Sequence, residues 1–95
     1  MRVLARAVSY PAEVVVSEDG GIYHFTAAFE DIILSDTSSS ITEAVEEIVR
    51  FLTFWVARKG YSIGVVRDVV ETLAAVISTE TGDNVKRVYR KLINR

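Results

Sequence analysis

The chain has no cysteine and no glutamine, its methionine occurs only at position 1, and its 95 residues include one histidine and one proline. Without cysteine there is no disulfide framework, no thiolate zinc site and no cysteine nucleophile, so a cytoplasmic location is expected. No apolar run approaches the ~18 residues of a membrane span. Arg6 also interrupts the N-terminal stretch Met1 to Val8 before it reaches signal-peptide length, so no membrane segment is expected. The shortage of Cys, Gln and Met, which are thermally labile, points to a thermophile-like composition. Basic residues are missing from one long region. Between Glu13 and Glu47 there are nine acidic side chains and no Lys or Arg, whereas from Asp83 to Arg95 a single acid accompanies Lys86, Arg87, Arg90, Lys91 and Arg95. The net charge of −2 conceals this segregation, which restricts which surfaces can meet which partners.

Apolar side chains make up 49% of the chain and charged ones 25%, an ordinary globular balance that argues against disorder. A chain of this length supports one core and buries somewhat more than ~60% of its unfolded surface. Arg2 to Ser9 is rich in Val, Leu and Ala without clean alternation and reads as a strand or an irregular lead-in, with Pro11 breaking pairing at its end. Val14-Val15-Val16 suits a pleated sheet. It stops at Asp19-Gly20-Gly21, which supplies the positive φ angles of a tight hairpin. The return strand alternates Tyr23, Phe25, Ala27 and Phe29 against His24, Thr26, Ala28 and Glu30. Ile32-Ile33-Leu34 reads as a short third strand, and Ser35 to Ser40 as a polar loop.

Ser40 and Glu43 form a capping box that starts a helix ended by Gly60. Ile41, Ala44, Val45, Ile48, Phe51, Leu52 and Trp55 recur along it at spacings of three and four and make an apolar stripe. Phe54 projects opposite. A second stripe runs through Val65, Val66, Val69, Val70 and Leu73, with Arg67 and Glu71 one turn apart as a surface pair. Gly82 and Asp83 divide it from a last helix that buries Val85, Val88, Tyr89, Leu92 and Ile93. The expected fold class is therefore α+β: a three- or four-stranded, mainly antiparallel N-terminal sheet over residues 2–35, packed against a long helix at about 40–58. Two C-terminal helices at about 63–78 and 83–94 follow, all within one domain of residues 1–95.

No residue pattern points to catalysis. His24 has no serine or carboxylate placed by sequence to orient it as a triad base. Glu30-Asp31 beside Asp36 lacks ligand spacing for a metal. Asp19-Gly20-Gly21 lacks both the following helix and the lysine of a phosphate loop. A non-enzymatic protein without cofactor or metal is expected. Lys86, Arg87, Arg90 and Lys91, with Arg95, line the polar face of the last helix and could neutralise phosphates of DNA, or could simply complement the dipole of that helix's C-terminal end. One form of the DNA reading is a helix-turn-helix with Ala75 and Val85 at the small-residue and anchor positions, although Thr79 stands where the turn glycine belongs.

Tyr10-Pro-Ala-Glu-Val-Val-Val-Ser-Glu-Asp-Gly-Gly-Ile-Tyr23, Ser35-Asp-Thr37 and Thr42-Glu-Ala-Val45 together resemble HicB-type antitoxins over roughly Tyr10 to Trp55. The resemblance implies a truncated RNase H-like domain that binds a small basic toxin and represses its own operon through a C-terminal DNA-binding element. The family's Pro-Asp-Leu-Pro-Gly loop is replaced here by Phe29-Glu-Asp-Ile32. Charge complementarity would then bring a basic protein partner to Glu30, Asp31, Glu43 and Glu47. Phe54 and Tyr61 are the expected buried contacts of a homo-oligomer. The alternative is a small self-associating structural or adaptor protein of a larger assembly.

Overall fold

In a computed structural model, which describes residues 1–76 and Arg90, four strands are followed by two helices. Strands β1 (Arg2–Ser9), β2 (Ala12–Asp19), β3 (Ile22–Phe29) and β4 (Ile32–Ser38) form one antiparallel sheet in the order β1-β2-β3-β4. Each connection is a two-residue turn. At one end of the sheet lie Tyr10–Pro11, joined by a cis peptide bond, and Glu30–Asp31, where Glu30 has φ 55° and its N–H donates to the Pro11 carbonyl at 3.0 Å. At the other end Gly20 and Gly21 take φ 58° and 85°, the left-handed pair that a tight hairpin requires and that a side chain would strain.

The helices α1 (Ile41–Lys59) and α2 (Gly64–Val76) lie on the same side of the sheet, α1 over β3 and β4 and α2 over β1 and β2. Between the layers sits a single buried cluster. Ala5, Ala7, Val14, Val16, Phe25, Ala27 and Phe29 meet Val45, Ile48, Val49, Leu52 and Val56 of α1 and Val66, Val69, Val70 and Leu73 of α2. Alanines on β1 let the valine-rich α2 approach closely, and the phenylalanines of β3 fill the wider space under α1.

Several expectations are corrected. The α+β class and the Gly20–Gly21 hairpin stand, and of the two readings of Arg2–Ser9 the strand is the one observed, which gives the sheet four strands, the larger of the two numbers expected. The stretch that reads as a polar loop after Leu34 is the second half of β4, paired with β3 as far as Ser38 opposite Tyr23. The capping box is half formed. The Ser40 hydroxyl accepts from the Glu43 N–H at 3.3 Å, but the Ser40 N–H donates to the Ser38 hydroxyl, which in turn donates to the Glu43 carboxylate at 3.2 Å. Gly60 does end α1, in the left-handed conformation with φ 77°. Val49 and Val56 widen the predicted stripe, while Phe51 and Trp55 lie at its half-buried margins. Residues 61–66, whose sequence suits either a strand or a helix start, turn into α2 at Gly64. Arg67 pairs with Asp68 at 3.8 Å rather than with Glu71. The third helix predicted at 83–94 lies outside the described residues except for Arg90, which is helical.

Candidate functional site

The acidic residues that form one region in the sequence are distributed by the fold. Glu30 and Asp31 form the β3–β4 turn, and α1 begins after β4 has run the length of the sheet away from them. Seven strand residues at ~3.3 Å each place Glu43 and Glu47 roughly 20 Å from that turn. Glu18 and Asp19 sit at the Gly20–Gly21 end, with Glu18 paired to Arg2 at 3.6 Å, and Glu13 projects from the sheet face that carries no helix.

Two groups of predicted partner-binding residues result. At the turn end, Tyr61 stands edge-on to the buried Phe29 ring, with centroids 5.3 Å apart and planes at 85°. Desolvation raises the Tyr61 pKa above its usual 10.0, and the nearby Glu30 carboxylate and Tyr10 raise it further. Glu30 and Tyr61 therefore do share a surface, with Asp31 beside them. Along α1, Glu43, Glu47, Arg50, Phe54 and Arg58 form an exposed ridge, and Glu43, Glu46, Glu47 and Arg50 border a shallow depression. Glu46 pairs with Arg50, which leaves the first half of the ridge acidic. Phe54, 54% exposed, rests edge-on to Trp55 at 5.0 Å under the Arg58 guanidinium at 5.8 Å. That cation–π contact adds about 0.5–1 kcal/mol at an exposed site, so the ring has an intramolecular seat. No ring contact joins Phe54 to Tyr61.

No protein-family model, curated protein or solved structure matches the chain. Function is therefore read from the surfaces themselves. His24 lies half-buried opposite Ser17 and Thr37 on its neighbouring strands. Among the described residues no group of three His, Asp or Glu side chains is placed to hold a metal ion, and no helix is long and apolar enough to cross a membrane. Lys86, Arg87, Lys91 and Arg95, like Val85 of the helix-turn-helix reading, lie outside the described residues, and Arg90 is exposed.

Two features lie outside the partner-binding residues expected from sequence. Asp36 belongs to the acidic side formed by β4 and the start of α1, because β4 continues through it. The second feature is the sheet face opposite the helices. Val3, Val8 and Ile33 stand on it at 61%, 67% and 66% exposure. The outward direction of Val8 and Ile33 was available from alternation with Ala7 and Leu34, whereas that of Val3 follows from the register shift between Val3 and Ala5.

Proposed function

We propose that the chain is a non-enzymatic, HicB-like protein-binding module whose acidic β4–α1 side engages a basic protein partner. The observation that carries this reading is that β4 is an edge strand that contains Asp36 and is flanked by Asp31, Glu43 and Glu47, in a stretch without a single basic residue up to Glu47. An edge strand offers unpaired main-chain donors and acceptors to an added strand, and the flanking carboxylates steer a cationic partner and reject an anionic one. The basic C-terminal residues Lys86, Arg87, Arg90 and Lys91 supply, on this reading, a separate contact to DNA, as expected of an antitoxin acting in the cytoplasm.

The test is a binding titration against a short, basic, toxin-like protein, with an acidic protein of the same size as the control, at several salt concentrations. Glu43→Lys with Glu47→Lys is expected to slow association at least about tenfold at low salt, with the difference shrinking as salt rises. Unchanged association in the double variant would overturn the acidic-side reading. Anisotropy against the upstream DNA tests the second interaction. Replacing Lys86, Arg87 and Lys91 by Ala is expected to flatten the dependence of log K on log salt, by about 0.9 in slope for every phosphate that is no longer neutralised. The rival reading, a self-associating adaptor, draws support from one further observation, the uncovered sheet face.

A further inference from the structure

Alternate residues of the four strands point away from both helices and form three rows across the sheet. Val8, Glu13, Ala28 and Ile33 make the first, Arg6, Val15, Thr26 and Ser35 the second, and Val3, Ser17, His24 and Thr37 the third. Large apolar side chains stand near the rim, with Val3, Val8 and Ile33 more than three-fifths exposed and Ile22 at 41%. At the centre the hydroxyls of Thr26 and Ser35 are hydrogen-bonded to each other at 3.2 Å, which satisfies one of their two O–H donors within the chain. Apart from His24, Arg6 and Glu13 are the only ionisable side chains in the three rows. An antiparallel sheet with one wet face normally alternates apolar-in with polar-out, and this one places valine and isoleucine on both sides.

We propose that this open face is a self-association surface, on which two copies of the chain stack sheet against sheet about a two-fold axis parallel to the strands. The charges choose both the occupant and the axis. An axis running across the strands through the middle row would set Arg6 against Arg6 of the second copy. The axis along the strands, between β2 and β3, instead sets β1 over β4 of the second copy. Val8 then meets Ile33, Arg6 meets Ser35, Val15 meets Thr26 and His24 meets Ser17, with no like charges opposed. Both apolar corners of the first row are covered in one step, and each contact occurs twice. Four strands ~4.8 Å apart and eight residues at ~3.3 Å make a face of about 19 by 26 Å. That is roughly 1,000 Å² over two copies, the lower bound for a specific interface. Aligned packing of two twisted sheets at about 30° fits this geometry. The β4 edge and the α1 ridge stay outside it, so pairing is separable from capture of a basic partner.

The absence of cysteine from the chain makes a direct test available. Val8 and Ile33 lie on opposite edge strands, about 14 Å apart within one chain, beyond the ~7 Å reach of a disulfide. A Val8→Cys, Ile33→Cys variant can close these bonds only between copies. Under mild oxidation it is expected to give a covalent dimer that does not grow further. Light scattering of the unmodified chain is expected to show a concentration-dependent dimer. Ile33→Glu should weaken it at least about a hundredfold, because the substitution enters a two-fold interface twice, while its circular dichroism stays unchanged, since the site is exposed. Ile33→Glu should leave association with the basic partner intact, and Glu43→Lys with Glu47→Lys should leave dimerisation intact. A monomer at every concentration, a dimer indifferent to Ile33→Glu, or a cross-linked ladder in place of a closed dimer would each overturn the proposal.

Discussion

The two faces of the sheet are built from alternate residues of the same strands, and they differ in how tightly each position is specified. On the covered face the middle row reads Ala7, Val14, Ala27 and Leu34, and the row beside it Ala5, Val16, Phe25 and Asp36. The buried positions there are matched to the helix above them, alanine at 5 and 7 on β1 under α2 and phenylalanine at 25 and 29 on β3 under α1, because a packed interior tolerates neither void nor excess. On the open face, valine, threonine, arginine and isoleucine stand side by side with no helix to fit. The lesson is that volume is dictated where a second layer exists within the chain, whereas on the open face only strand propensity and outward contacts constrain the choice.

The sharpest way to break this comparison uses two neighbours in sequence. Phe25 is 1% exposed under α1, and Thr26 is exposed on the other side. Phe25→Ala is expected to lose about 3–5 kcal/mol, a large fraction of a small domain's stability. Thr26→Ala gives up only its hydroxyl pairing with Ser35 and should lose ~1 kcal/mol or less. Urea denaturation at low protein concentration, where self-association does not contribute, measures both. Equal losses would mean that the open face is as constrained as the covered one.

A second test adds volume instead of removing it. Ala7 is 1% exposed beneath α2, so Ala7→Leu forces side chains off their rotamers and should cost about 1–3 kcal/mol. Val8→Leu, one residue on and 67% exposed, should leave the stability of the isolated chain within about 0.5 kcal/mol. The same urea titrations decide it, and a tolerated Ala7→Leu would show that α2 rides more loosely on β1 than the burial implies.

How much of this was legible in the sequence depended on whether a residue's neighbours announced its burial. The Gly20–Gly21 hairpin and β3 were readable because positive φ and strict alternation are local signals. Strand β1 was obscured by a register shift between Val3 and Ala5, a bulge that breaks the period of two, and by inward positions occupied by alanine, which carries little hydrophobic signal. The second half of β4 looked like a loop because Ser35, Asp36, Thr37 and Ser38 belong to an edge strand held by backbone pairing with β3 and not by burial. The acidic stretch was visible as composition. Its division between the Glu30–Asp31 turn and the start of α1 was not, since that separation exists only once β4 has its full length.

The helix layer offers a smaller contrast of the same kind. The Thr53 hydroxyl on α1 is buried without a hydrogen-bond partner. Such a group carries a desolvation cost of ~1–3 kcal/mol that an isosteric apolar residue removes. Thr53→Val is accordingly expected to stabilise the chain by about 1 kcal/mol, read as a higher urea midpoint at unchanged slope. A lower midpoint would mean that the hydroxyl is satisfied in solution.

The smallest effect marks where the covered face meets water. Tyr61, 36% exposed, closes the end of that face against Phe29. Its pKa is raised above 10.0 first by desolvation and then by Glu30 and Tyr10, so the fold favours the neutral phenol. A folded-state pKa above the unfolded value means that the associated stability is fully present below about pH 10 and is lost as pH climbs through the folded value. Solvent screening at this exposed site keeps the contribution small. Thermal unfolding of the chain and of Tyr61→Phe should therefore run parallel from about pH 8 to 9.5. Above that the unmodified chain should fall more steeply, because phenylalanine keeps the edge contact without an ionisable hydroxyl. Other tyrosines and lysines titrate in the same range, but they do so in both proteins, and the difference between the two curves isolates Tyr61. Curves that remain parallel to about pH 11 would show that the end of the covered face is as open to solvent as the sheet face opposite.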